Sequence, residues 1–125
     1  MDYETFIGTV SRRSRVPREA ATALTRATLE TLAERLTGGE ADALAARLPK
    51  PLRASLAAPA PEAEGFGLDE FVDRVSRRSG LSPAEARRGV PAELSTLHDA
   101  VHDDEFRPVP AQRRTGFGER VEARD

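Results

Sequence analysis

Phe6-Ile7-Gly8-Thr9-Val10-Ser11-Arg12-Arg13-Ser14 returns sixty-five positions later as Phe71-Val72-Asp73-Arg74-Val75-Ser76-Arg77-Arg78-Ser79. Carried along the chain at the same offset, Ala21 meets Ala86, Ala27 meets Ala92 and Leu29 meets Leu94. Thr31-Leu32 then meets Thr96-Leu97, and Glu40 meets Glu105. These make twelve identities between residues 6–40 and 71–105, with no insertion. Self-similarity at a fixed period marks a repeated structural unit. The chain thus reads as a first helical repeat over 1–56, a linker over 57–65 and a second repeat over 66–106. A partly ordered basic tail follows over 107–125. Pro59, Pro61, Gly65 and the alanines between them suit a semi-extended connector.

The apolar period inside each repeat is that of a helix. Tyr3, Phe6, Ile7 and Val10 fall at i, i+3, i+4 and i+7, as do Leu68, Phe71, Val72 and Val75. A second helix is expected from Arg18 to Leu36, with Ala21, Leu24, Thr28, Leu29, Leu32 and Leu36 inward and Arg26, Glu30 and Glu34 facing away. Gly38-Gly39 reads as its stop. A short helix over Glu40–Leu48 ends at Pro49, and Pro51 opens a fourth carrying Leu52 and Leu56. In the second repeat, Ser82-Pro83-Ala84-Glu85 forms a capping box with proline at the first helical position. Ala86, Val90, Leu94, Leu97 and Val101 continue its stripe, and Pro91 predicts a kink or a break. No window alternates long enough for a strand. The fold class is all-α, two tandem units of three to four helices packed as one bundle, with the second degenerate at its C-terminal end.

Composition narrows the chemistry. The 125 residues, 38% hydrophobic, can bury roughly two-thirds of the unfolded chain's surface, so neither metal nor disulfide is needed for folding. With no cysteine, disulfide scaffolds, thiolate zinc sites, iron–sulfur clusters and cysteine nucleophiles are excluded. A net charge of −2 argues against nucleic acid as a partner. The acidic start Met1-Asp2-Tyr3-Glu4 and the lack of a long apolar run predict a cytoplasmic protein without a membrane span. Eighteen of the nineteen basic residues are arginine, which suits bidentate pairing with carboxylates.

Arg35-Leu36-Thr37-Gly38-Gly39-Glu40-Ala41-Asp42-Ala43-Leu44-Ala45-Ala46-Arg47-Leu48-Pro49, followed by Lys50-Pro51-Leu52-Arg53-Ala54-Ser55-Leu56, resembles the uncharacterised prokaryotic family catalogued as domain of unknown function 2267. The stretch Phe71 to Ala86 is similar to the second half of that family. After Phe106 the likeness fails, because Arg113-Arg114 stand where the family repeats its Leu-Pro ending. The resemblance implies a compact helical fold in a prokaryotic cytoplasm. It carries over no activity, cofactor or catalytic residue.

Three groups of residues are candidates for function. His98 and His102 lie at i and i+4 around Asp99, a spacing that lets two imidazoles share one metal. The zinc-hydrolase motif needs a glutamate where Asp99 stands, and no third ligand has a recognisable spacing. Arg12, Arg13, Arg77 and Arg78 belong to the twin Ser-Arg-Arg-Ser motifs, each in the last turn of a helix where cations offset the dipole. Related by the repeat, they could grip an anion or an acidic partner. Val90, Leu94, Leu97 and Val101 are expected to form a partly uncovered strip, because Pro108 and Pro110 break the helix that would close over them. No catalytic residue and no cofactor is expected. The favoured reading is a non-enzymatic interaction module acting through a protein partner or a homodimer. The alternatives are a metal-binding protein or metal-dependent hydrolase at His98 and His102, and an anion or nucleic-acid binder using the paired arginines.

Overall fold

Asp2 starts the first helix, its carboxylate accepting from the Thr5 amide at 2.7 Å. The bond holds the Asp2 carboxyl below its ordinary pKa. In this computed structural model, which describes residues 1–56 and 63–102, helix α1 spans Tyr3–Ser14. Helices α2 (Arg18–Arg35), α3 (Gly38–Ala45) and α4 (Lys50–Arg53) follow, the last continuing as a 3₁₀ turn over Ala54–Leu56. Helices α5 (Leu68–Ser79) and α6 (Pro83–Val101) complete the order, and no strand occurs among the described residues. The described fold is all-helical. The tail and the second repeat beyond His102, together with linker positions 57–62, lie outside the described residues. From the linker, the Glu64 amide donates to the Glu34 carbonyl at 2.8 Å.

Both α1 and α5 contain 12 residues and end on a left-handed residue, Arg15 at φ 61° and Gly80 at φ 78°. Behind each end a serine closes the corner. Ser11 donates to the Val16 carbonyl at 2.6 Å, and Ser76 to the Leu81 carbonyl at 2.8 Å. Glycine adopts the left-handed region freely, whereas arginine is strained there.

The four long helices pack crosswise. The most extensive contacts join α1 to α6 and α2 to α5, and α2 also touches α6 along the diagonal. Phe6, Val10, Leu24, Leu29, Val75 and Val90 are sealed in one core with Phe71 and Leu97. The 3₁₀ turn lies on α2, adding Leu56 to that core beside Leu48 and Leu52. Gly89 of α6 faces the Leu24 side chain of α2. A β-carbon there would stand 2.6 Å from Leu24 Cδ2 and 3.0 Å from Cδ1. Gly89→Ala should therefore destabilise the protein. The clash costs about 1–3 kcal/mol, more than the ~1 kcal/mol that alanine's helix propensity returns. A urea midpoint at or above wild type would contradict this packing.

Several expectations need correction. Gly38-Gly39 does not stop α2, which ends at Arg35; the glycines form the first turn of α3. Thr37 and Glu40 make a capping box around them, with bonds of 3.1 and 2.8 Å, so α3 starts earlier than Glu40 and ends at Ala45. Pro91 does not break α6, which runs unbroken from Pro83 to Val101. Pro91 and Arg87 are both exposed, so water can take the carbonyl that proline leaves unbonded. Glu34 does not face away but is turned into the seam between α2 and α5. Leu68, expected on the inward stripe of α5, is 61% exposed.

Candidate functional site

The last turns of α1 and α5 carry the Ser-Arg-Arg-Ser motifs, and one arginine of each crosses to a neighbouring helix. From α1, Arg13 Nη1 donates to Ser95 Oγ at 2.9 Å, and its Nη2 to Asp99 Oδ2 at 2.8 Å. From α5, Arg78 Nη1 donates to Thr31 Oγ1 at 2.9 Å, and its Nη2 pairs with Glu34 Oε2 at 2.5 Å. Arg78, with Arg74 beside it, holds the Glu34 carboxyl below the ordinary carboxylate range despite partial burial. Arg13 and Arg78 are thus inter-helix ties. The other two arginines stay outside. Arg77 pairs with Asp73 at 2.9 Å along its own helix, and Arg12 is exposed. The motifs do not bring four arginines to one face.

Arg74 was not singled out by the sequence, yet it anchors the densest charge network. It bonds Glu70 at 2.8 Å, Glu34 at 2.9 Å and Glu64 at 3.2 Å, and lies 3.9 Å over the ring of Phe66. These carboxylates raise its pKa and fix its charge, Glu70 most of all. A cleft of about 440 Å³ lies here, lined by Glu34, Glu70, Arg74, Arg77 and Arg78. Its arginines face carboxylates at bonding distance, so the charge is largely met within the chain. The network fastens α5 and the linker end to α2.

At the far end of α6, the rings of His98 and His102 stack with centroids 4.4 Å apart. His102 Nδ1 donates to the His98 carbonyl at 2.9 Å. Asp99 Oδ2 is bonded to Arg13, while its Oδ1 lies 3.9 Å from His98 Nδ1. Among the described residues, no three potential ligands gather to hold a metal. Asp103, Asp104 and Glu105 lie outside the described residues.

The strip expected on α6 divides. Val90 and Leu97 are buried in the core, because α1 packs along α6 on that side. Leu94 is 36% exposed, and Val101 is half-buried. Of the strip expected to be partly uncovered, Leu94 and Val101 keep exposed surface while Val90 and Leu97 do not. A second cleft, about 530 Å³, opens between the first halves of α5 and α6. Leu68, Asp69, Val72 and Asp73 form one wall, and Pro83, Arg87 and Pro91 the other. The sequence signal for it was the proline at position 83, where the first repeat has Arg18. That arginine pairs with Glu4, and its Nη1 lies 3.6 Å from where a Gly8 β-carbon would be.

Glu93 is a second residue that sequence reasoning missed. It is wholly buried on α6, with one oxygen accepting from Thr25 Oγ1 of α2 at 2.8 Å and the other without a partner. Burial pushes its carboxyl up to about 8, so it keeps its proton at neutral pH. It lines neither cleft and has no reactant within reach. The acid is a feature of the core.

Among the described residues, no helix is long and apolar enough to cross a membrane. No curated protein and no solved structure matches the chain. A family of uncharacterized conserved proteins, DUF2267, matches residues 3–123, so the likeness does not fail after Phe106 as expected, and this protein belongs to that family.

Proposed function

We propose that the chain is a duplicated helical module that works by binding rather than by catalysis, and that its first partner is a second copy of itself. Bonded positions one repeat apart support the duplication. Arg13 with Thr96 and Asp99 answers Arg78 with Thr31 and Glu34, each position displaced by the sixty-five residues of the repeat. Leu24 and Gly89, equivalent under the same offset, meet each other where α2 crosses α6. A two-fold axis between those helices accounts for both observations.

The observation that carries the binding reading is the cleft between α5 and α6. Leu68 stands at its lip with a large apolar side chain in water, beside Val72, Pro83 and Pro91. Asp69 and Arg87 occupy opposite walls with unlike charges. A two-fold contact between copies would set each wall against its complement, with Asp69 of one copy facing Arg87 of the other. Leu68 would then enter an apolar slot instead of solvent. By contrast, Arg13 and Arg78 are committed to helix ties, which lowers support for an anion or nucleic-acid site.

Light scattering at tens of micromolar (order of magnitude, where a micromolar interface is largely occupied) should show a dimer for the wild type. Leu68→Glu should give a monomer of unchanged helical circular dichroism. A wild-type monomer, or a Leu68→Glu dimer, would overturn the proposal.

A further inference from the structure

The chain has two histidines, and both stand at the end of α6. The repeat gives no reason for either. The positions sixty-five residues earlier are Ala33, sealed in the core, and Thr37, the cap of α3. His98 and His102 are instead exposed, His98 with 72% of its side chain in solvent. Neither imidazole takes over a packing or capping role from the first half.

Their surroundings decide which ring nitrogens keep a lone pair. The His102 amide and its Nδ1 both donate to the His98 carbonyl, at 3.1 and 2.9 Å. A neutral imidazole with its proton on Nδ1 keeps its lone pair on Nε2. Beside His98 Nδ1 stands Asp99 Oδ1 at 3.9 Å, and a carboxylate on that side favours the proton there as well. Asp99 is itself held by Arg13, whose Nη2 lies 2.8 Å from its other oxygen. Metal-binding histidines are commonly prepared in this way, with the second nitrogen's proton turned to a carbonyl or a carboxylate.

We infer that His98 and His102 form a site for one late divalent transition-metal ion, held by their two Nε2 atoms and completed by water. The inference does not use the dimer contact, whose cleft lies along the first half of α6. Imidazole nitrogens bind Zn²⁺ at about 2.0–2.1 Å, so two of them must come within roughly 3–4 Å of each other to share an ion. The ring centroids are 4.4 Å apart, and exposed side chains at i and i+4 can make the remaining turn without moving the backbone. Charge narrows the ion further. Arg47 Nη2 donates to the Val101 carbonyl at 2.6 Å, and Asp99, the carboxylate beside His98, is paired with Arg13. Mg²⁺ and Ca²⁺ take oxygen ligands, and the described residues offer them no such set here. Cu²⁺, Ni²⁺ and Zn²⁺ accept neutral imidazole. The same two residues already close the final turn of α6, so the ion acts as a staple across it.

The test uses the full chain without an affinity tag. Zn²⁺ added to nitrogen-15-labelled protein should shift the Nε2 resonances of both histidines together and saturate at one equivalent. His98→Ala and His102→Ala should each weaken binding by at least about tenfold, because the second ligand is held beside the first at high effective concentration. Neither variant should move the metal-free urea midpoint or the oligomeric state. Exchange of the Val101 and His102 amides should slow when Zn²⁺ is bound, and Mg²⁺ should shift neither ring. A shift confined to one histidine would overturn the inference, as would a shift at Nδ1 in place of Nε2. So would a single-histidine variant of wild-type affinity, since the ion would then be adventitious. The dimer proposal is tested at Leu68, so the two can fail separately.

Discussion

Raising the pH from about 5 to about 8.5 should weaken the wild-type protein substantially, and should do so much less in Glu93→Gln. The reason is the buried carboxyl on α6, which ionises near 4.5 when the chain is unfolded and near 8 when it is folded. Below the unfolded value both states carry the proton, and the group contributes its full stability. Between the two values the unfolded chain releases its proton and the folded chain keeps it, so stability falls as pH rises. The slope approaches roughly 1.4 kcal/mol per pH unit. Above about 8 both states are ionised, and the loss levels off at something on the order of 5 kcal/mol. That is comparable to the whole stability of many domains, about 5–15 kcal/mol.

Glutamine cannot ionise, and its carbonyl can still accept from Thr25. The variant should therefore be the more stable protein at pH 8.5, with little difference near pH 5. Urea midpoints at the two pH values measure this directly. Parallel pH profiles for the two proteins would mean that water reaches the carboxyl.

Phe6→Ala and Phe71→Ala should each cost about 3–5 kcal/mol. Phe6 is fully buried in α1, and Phe71, in α5, is 4% exposed with the Phe66 ring 6.2 Å away. They hold equivalent places on the two crossed helices. Because α1 lies on α6 and α5 on α2, either loss opens the core between the two halves of the chain. With a urea slope of roughly 1–3 kcal/mol per molar, the midpoint should move by more than about 1 M. A variant that unfolds at the wild-type midpoint would show that its first helix is not packed as described.

Helix existence was legible because the apolar period is strong: Phe6, Ile7 and Val10, and Phe71, Val72 and Val75, are all inward as their spacing requires. Helix ends were less so, since Thr37-Gly38-Gly39-Glu40 contains both a glycine stop and a capping box, and the reciprocal bonds of the box won. Periodicity names the buried face of a helix but not the helix that buries it. The crossed pairing of α1 with α6, which hid Val90 and Leu97 from solvent, could not be read from spacing alone. Glu93 could have been read. It occupies the repeat position of Thr28, which already belonged to the inward stripe, and only its charge argued for solvent. The seams of Arg13 and Arg78 were equally available from the register, because Thr31 and Glu34 match Thr96 and Asp99. Arg74 was not, since its equivalent in the first repeat is Thr9.

The crossed arrangement sets an order for folding during synthesis. Helix α1 leaves the ribosome before the other described helices, but the helix on which it makes its broadest contact ends at Val101. At about 5–20 residues per second, the interval is several seconds. During it α1 can rest only on helices already made, α2 chief among them and α4 beside it, and Arg13 has neither Ser95 nor Asp99 to bond. The nascent first half is thus a sticky hairpin, stabilised once the last long helix arrives. Contacts so distant in sequence slow folding relative to an up-and-down bundle of the same size. Half-length fragments made separately should consequently seek each other, each supplying the helix that the other lacks.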